Sequence, residues 1–496
     1  MTERTEPTDS SPEGIGALDI AQNSCQSTAT VSLSDRSREN TQWFMDKHMR
    51  QVARLSAKER RINMMTAENW LARSGLIDAY KRHIEKDLSP SHLSYADGLG
   101  GDVELLQAAA GFFNRYFHPH TPVKPKHIVT GAGCSSLLEG VLYDVCEPGD
   151  GVLIETPFWG GFETTFVLRA KVQAVHVQVP SDPSVRDVVI SSYISAYETA
   201  MANAKCTIKA ILFCNPHNPR GSLYSATLIE ALLQFAERNN LYFLSDEIYA
   251  LSTFNSSPWN TAAGRFVSVL EMDLAQLRVL PARVCVLYSI SKDLGSSGLR
   301  LGFAITQSHP DLRLSLAISN HSKTSTLTSV ATTALLRDEE GTMNSILEHS
   351  RLQLWRASQI VVEFLSFHKI PFYSPVAGVY IWARLGHLED TWKGEADLND
   401  KMEAAGVSVG AGRGYNEAQP GWFRITFALP ETELLEGLRR IEDAMGSEHK
   451  WQGKGIHLIK PGRRFTAERE ISFTRSWVAL PLMQLWSYIQ QYFYTF

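Results

Sequence analysis

A chain of 496 residues is longer than a single small core requires, so two domains, or one large domain with appendages, are expected. Its 44% hydrophobic and 20% charged residues mark an ordinary globular protein, and a net charge of −5 with no Lys/Arg block argues against a general nucleic-acid binder. Six cysteines without a CxxC pair fit a reducing compartment, the cytoplasm by default, better than a disulfide framework or a zinc site, and no secretory leader pattern opens the chain.

Residues 1–38 are rich in Ser, Thr, Glu, Asp and Pro and poor in large apolar side chains, which predicts a disordered lead. Segment 39–89 begins with helix-like material at 43–55. Over 90–325, short apolar runs at 151–155, 172–179, 209–214, 241–245, 284–289 and 301–306 alternate with amphipathic stretches such as 226–239. That alternation predicts an α/β fold, a large domain whose mostly parallel sheet is flanked by helices. Over 326–446, a long helical pattern at 342–368 leads to Gly/Pro-bounded strands at 376–385 and 422–428. These predict a smaller α+β domain, joined by segment 39–89. The extension 447–496 is basic and turn-rich at first, then crowded with aromatics. Pro481, Gln484, Ser487, Gln490 and Gln491 interrupt it, so an added helix or a poorly ordered tail is expected before a membrane anchor.

Five loops carry chemistry. Thr130-Gly131-Ala132-Gly133-Cys134-Ser135-Ser136 precedes an amphipathic stretch, and a Gly-rich turn opening a helix offers free N–H groups to an anion. The same residues also suit a plain helix cap. Trp159, in Pro157-Phe158-Trp159-Gly160-Gly161-Phe162, offers a face on which a planar ring stacks, or simply packs in a core. Asn215-Pro216-His217-Asn218-Pro219-Arg220-Gly221 follows a strand, where ligands of parallel sheets bind, and is otherwise a turn. In Leu244-Ser245-Asp246-Glu247-Ile248-Tyr249, the carboxylate suits a protonated ring nitrogen and the phenol a ring oxygen. Asp246 could equally cap a helix over a packed Tyr249. Finally, Ser289-Ile290-Ser291-Lys292-Asp293-Leu294-Gly295 places a lysine on a Ser/Gly loop, with Arg300 eight residues on. A lysine condenses with an aldehyde where its pKa is depressed, and hydroxyls with an arginine hold a phosphate. Together these groups point to pyridoxal phosphate.

In order and spacing, this set resembles the fold-type I pyridoxal-phosphate enzymes of the class I/II aminotransferase superfamily. Within it, Ser289 to Gly295, Asn215 to Gly221 and Ala67-Glu68-Asn69 look most like the 1-aminocyclopropane-1-carboxylate (ACC) synthase-like branch, over about residues 40–446. The resemblance implies that Lys292 forms the imine and carries the α-proton, that Asp246 pairs with the ring nitrogen, and that Asn218 and Tyr249 bind the ring oxygen. It implies a stacking role for Trp159 and phosphate contacts from Cys134 (through its main-chain N–H), Ser135, Ser289 and Arg300. Arg424 is similar to the arginine that grips the substrate α-carboxylate, and Glu68 to an acidic residue near the substrate's distal end. Tyr95 matches a tyrosine that reaches the neighbouring subunit's phosphate, which implies a homodimer acting on a small amino-acid substrate. One departure stands out: Gly98 occupies a place where ACC synthases carry tyrosine. Transamination is the first expectation, β/γ elimination with carbon–sulfur cleavage the second, and ACC formation a distant third. A cofactor-binding regulator or a silent relative is disfavoured, because no basic module precedes residue 90 and Lys292, Asp246 and Arg424 are all present.

Overall fold

The computed structural model describes residues 33–55, 61–180, 189–254, 265–339, 341–386 and 391–453. Seven apolar runs form the large sheet: β1 (Ile128–Gly131), β2 (Gly151–Glu155), β3 (Gln173–Val177), β4 (Ile208–Cys214), β5 (Tyr242–Asp246), β6 (Val284–Ser289) and β7 (Gly302–Ile305). Their order is β1-β7-β6-β5-β4-β2-β3. Strand β7 runs antiparallel to both of its neighbours, and the remaining pairs are parallel. Because successive side chains point to opposite faces, each run feeds two cores. Leu153, Ile211, Phe213, Phe243, Val286 and Tyr288 enter one; Val152, Ile154, Leu212, Leu244, Cys285 and Leu287 enter the other. Continuous apolarity in the sequence is therefore the mark of burial on both sides.

The principal helices are α1 (Asp35–Leu55), α2 (Arg73–Asp87), α3 (Val103–Tyr116), α4 (Cys134–Val145), α5 (Ala226–Arg238), α6 (Thr326–Arg337), α7 (Thr342–Phe367), α8 (Trp392–Ala404) and α9 (Glu431–Met445). Helix α5 shows the local logic. The Ser225 hydroxyl accepts from Leu228 N at 3.3 Å, and Leu228, Ile229, Leu232, Leu233 and Phe235 make one buried stripe. Helices α2, α3, α5 and α6 cover the first core, and α4 contributes Leu137, Leu138 and Val141 to the second.

A four-stranded antiparallel sheet comprises β8 (Phe372–Tyr373), β9 (Tyr380–Ala383), β10 (Gly410–Ala411) and β11 (Phe423–Thr426), in the order β10-β11-β9-β8. Its core draws Leu354, Ile360 and Phe364 from α7, Leu434 and Leu438 from α9, and Met64 and Ala67 from upstream. Segment 39–89 thus serves both cores, since Leu76 and Tyr80 of α2 belong to the large one.

Two expectations are revised. Helix α1 starts at Asp35, inside the stretch read as a disordered lead. Tertiary contacts account for this: Asn40 Nδ2 donates to Leu168 O at 2.8 Å, and Lys171 Nζ donates to Asn40 Oδ1 at 2.5 Å. The reversed strand β7 was likewise not anticipated from an apolar run that looks like its neighbours. Among the described residues no helix is long and apolar enough to cross a membrane. The aromatic stretch 477–496 and Cys25 lie outside the described residues.

Candidate active site

The loops at the carboxyl ends of β1, β2, β4, β5 and β6 open onto a cavity of about 560 Å³. Its walls include Cys134, Ser135, Trp159, Asn218, Asp246, Tyr249, Lys292, Arg300 and Arg424, nine residues that the sequence reading singled out. A parallel sheet gathers such loops at one edge, which is why Cys134 and Arg300 meet there, while Arg424 arrives from the smaller antiparallel sheet.

Lys292 sits in the one-turn helix Ile290–Asp293 that follows β6. Asp293 fixes this turn: its buried carboxylate accepts from Leu251 N at 2.8 Å and Ser252 Oγ at 2.5 Å. The Lys292 amine donates to Ala67 O at 2.6 Å. Burial, then the nearby Arg424 charge, brings that amine down to about 8 from its ordinary 10.5. Near neutrality a useful share of it is therefore the free base.

Asp246 ends β5 and is 5% exposed. Its carboxylate accepts one main-chain bond, from Ile248 N at 3.2 Å, and desolvation pushes it up to about 7. Tyr249 stands edge-on to Tyr380 at 5.2 Å, with its hydroxyl's pKa raised by burial. Arg424 on β11 is 3% exposed and lies between the rings of Tyr380 (4.9 Å) and Tyr415 (5.0 Å). Its Nη1 donates to Asn218 Oδ1 at 3.0 Å and its Nη2 to Met65 O at 2.6 Å. Main-chain carbonyls of residues 65 and 67 thus hold the Arg424 guanidinium and the Lys292 amine.

On another part of the wall, helix α4 begins after Gly133, whose φ of +87° turns the chain into the helix. Arg300, itself left-handed at φ +53°, donates to Ala132 O at 2.6 Å and Ser297 O at 2.8 Å. A Cβ on Gly302 would lie 2.7 Å from the Gly133 carbonyl carbon, so the close approach of β7 to the helix start requires glycine. A helix N-terminus beside a guanidinium is an anion cradle. Trp159 lines the cavity and packs edge-on to Phe162 at 5.3 Å.

Three anticipated residues stand elsewhere. Ser289 is fully buried and does not line the cavity; its hydroxyl donates to Leu301 O at 2.7 Å and accepts from Ser291 N at 3.2 Å. Ser291 and Ser297 line the cavity instead. Glu68 is not a lining residue; it accepts from Ser297 Oγ, which lines the cavity, and from Arg73 Nη2 at 2.8 Å. Desolvation would raise its pKa, but these bonds hold the carboxyl below its ordinary value. Tyr95 is 87% exposed in a separate cleft with Asn320, His321 and Thr324. The Gly98 departure has a steric basis: at φ +113° a Cβ there would lie 2.5 Å from Gly101 O, so no tyrosine fits this backbone.

Met65, Asn399 and Tyr415 were not anticipated, and Ala67 entered only as part of Ala67-Glu68-Asn69, with no role of its own. No local pattern marks them, because two act through main-chain carbonyls and two arrive from the small-sheet side of the chain. Ser297 did carry a signal, lying between Lys292 and Arg300 in the same Ser/Gly loop.

The donor set fits pyridoxal phosphate on this structure's own terms. An anion cradle faces one end of the cavity, a desolvated carboxylate short of donors lines it, and a lysine with a depressed pKa reaches it. Comparison with known proteins agrees. The family model for class I and II aminotransferases matches residues 68–441. The probable aminotransferase gliI of Aspergillus fumigatus is 61% identical over 435 residues, 86% of this chain and 98% of that protein. A probable inactive ACC synthase-like protein 2 of Mus musculus is more distant, 30% identical over 78% of this chain and 66% of that protein. In fold, the chain resembles a Thermus thermophilus aspartate aminotransferase double mutant, with a TM-score of 0.64 at 20% identity over 84% of this chain and all of that one. From its motifs, its mostly parallel sheet and these matches, the chain belongs to the class I and II aminotransferase family of pyridoxal-phosphate-dependent enzymes.

Proposed function

We propose that this enzyme works at the α-carbon of a free amino acid and transaminates it. The observation that carries this reading is the meeting of Lys292, Asp246 and Arg424, from three different elements, in one cavity. Bound pyridoxal phosphate supplies an aldehyde that captures the substrate amine and a ring that delocalises the charge left at the α-carbon. The protein's part is binding and proton control. Arg424 grips the α-carboxylate with its planar fork, exchanging the Met65 carbonyl for a charged partner. Lys292, once its amine leaves the Ala67 carbonyl, takes the α-proton and returns it one atom away. Asp246 keeps a proton at the ring nitrogen, which gives its buried carboxylate the cation it lacks. Asn218 and Tyr249 hold the ring oxygen, Trp159 covers the ring face, and Ser135, Arg300 and the first-turn N–H groups at Cys134 hold the phosphate.

The same reading includes a homodimer in which the exposed Tyr95 serves the neighbouring site. It also includes a cytoplasmic setting, with which the five described free cysteines are compatible. We read 90–325 as the cofactor-binding domain, with α2 and α6 packed on its core, and the rest of 39–89 and 326–446 as the smaller one. Carbon–sulfur elimination is kept second because an ACC synthase-like protein is among the relatives. The test is to incubate the holoenzyme with amino acids and cysteine S-conjugates, scoring keto acid, ammonia and thiol separately. Keto acid formed only with an added acceptor supports transamination. Ammonia or thiol released without an acceptor moves the assignment to the lyase.

A further inference from the structure

We infer that Tyr415 is a positioning residue for the substrate's α-carboxylate: the face of its ring fixes the plane of the Arg424 guanidinium. The inference deepens the proposed function and rests on it. Strand β11 carries Arg424 opposite Trp382 of β9 and Gly410 of β10, and directly opposed residues of an antiparallel pair share one face of the sheet. Gly410 leaves that face open, and Tyr415 fills the opening. A Cβ at Gly410 would lie 2.5 Å from Tyr415 Oη and 2.9 Å from its Cε2. Trp382 backs the ring edge-on at 5.2 Å, and the ring centroid lies 5.0 Å from the guanidinium carbon of Arg424.

The main chain around Tyr415 is held from two sides. Glu395 is 2% exposed and accepts from Arg413 N at 2.9 Å and Gly421 N at 2.8 Å, which ties both ends of the segment that contains Tyr415. Tyr415 O accepts from Phe158 N at 2.8 Å, next to Trp159. A ring with little freedom therefore stands against Arg424. The guanidinium needs that support, because its buried Nε has no hydrogen-bond partner and its Nη1 and Nη2 donate to Asn218 Oδ1 and Met65 O. Once a carboxylate takes the place of the Met65 carbonyl, Asn218 is the partner that remains. One hydrogen bond does not fix a plane, whereas flanking ring faces attract and orient it. The second ring, Tyr380, also packs edge-on to Tyr249 at 5.2 Å, so Tyr415 is the cleaner of the two to change.

The test screens the standard α-amino acids on the holoenzyme and keeps the one with the lowest half-saturation of the cofactor absorbance change. Half-saturation, KM and kcat are then compared among variants. The control is O-methylhydroxylamine, which condenses with the cofactor's aldehyde and carries no carboxylate. Tyr415→Leu should raise half-saturation and KM about tenfold, change kcat less, and leave the O-methylhydroxylamine rate as in the wild type. Tyr415→Phe keeps the ring and should restore wild-type values. Gly410→Ala keeps the ring but displaces it, so it should behave like Tyr415→Leu, and it decides the question if Tyr415→Leu fails to hold the cofactor. An unchanged half-saturation in Tyr415→Leu, an equal loss with O-methylhydroxylamine, or a Tyr415→Phe as impaired as Tyr415→Leu overturns the inference alone. A wild-type holoenzyme whose absorbance responds to no amino acid overturns the proposed function and this inference with it.

Discussion

Glu155 and Asp246 end two strands of one sheet, β2 and β5, at the same edge and with the same 5% exposure. Burial raises both carboxyls. Their surroundings differ. Glu155 accepts from Tyr193, from Tyr197 at 2.6 Å and from Tyr224 at 2.6 Å, three phenols that close around it. Asp246 has one main-chain N–H and a cavity. Burial alone therefore does not make a site. A satisfied buried carboxylate is a structural knot, whereas an under-satisfied one beside open space is ready for a cation.

The largest test of this contrast removes Lys292, which lines the same cavity and whose charge acts on Asp246. Lys292→Ala should lower turnover by about a thousandfold or more, and should abolish the lysine-dependent visible absorbance of the bound cofactor when no amine is added. Persistence of that absorbance would defeat the assignment. The paired carboxylates come next. Asp246→Asn should lower kcat by about a hundredfold with little loss of thermal stability. Glu155→Ala should do the reverse, losing about 3 kcal/mol in urea unfolding because three phenols lose their acceptor, with kcat per folded molecule nearly unchanged. If the two variants exchanged behaviour, the distinction drawn here would be wrong. Arg424→Lys should raise KM about tenfold or more and change kcat less, because a point charge replaces a fork; steady-state kinetics with any accepted amino acid decides this.

The smallest effects are pH slopes of apoprotein stability. For Lys292 the folded value of about 8 lies below 10.5, so between these the unfolded chain holds a proton that the fold refuses. Stability from this group is present above 10.5 and is lost as pH falls to about 8. For Asp246 the folded value of about 7 lies above 3.8, so its contribution is present below 3.8 and lost as pH rises to about 7. Glu155 is raised as well, so the diagnostic is the difference between variants. Lys292→Met should flatten the alkaline slope, Asp246→Asn the acid one, and denaturant titrations across pH measure both.

Much of this was legible in the sequence. The runs at 151–155 and 284–289 coincide with β2 and β6, and the patterns at 226–239 and 342–368 end one residue past α5 and α7. Two-sided burial writes itself into a strand as continuous apolarity, and one-sided burial writes itself into a helix as a stripe, so both signals are local. The Gly-rich start of α4, the carboxylate ending β5 and the lysine after β6 were legible for the same reason: each is a residue type required at a strand end.

Strand direction, and what touches what across the cavity, was not legible. Strand β7 is as apolar as the parallel strands of the sheet, and its reversal appears only in the pairing of Gly302–Ile305 with β1 and β6. Ser289 reads like a phosphate ligand, and only the fold shows its hydroxyl donating to Leu301 O. The carbonyls of Met65 and Ala67 acquire meaning only when segments hundreds of residues apart close on one space. The order of residues determined the elements and the reacting groups, because periodicity and side-chain chemistry are properties of short stretches. The folded chain decided which of those groups are satisfied and which face the cavity, because hydrogen bonding and desolvation depend on neighbours that sequence distance does not reveal.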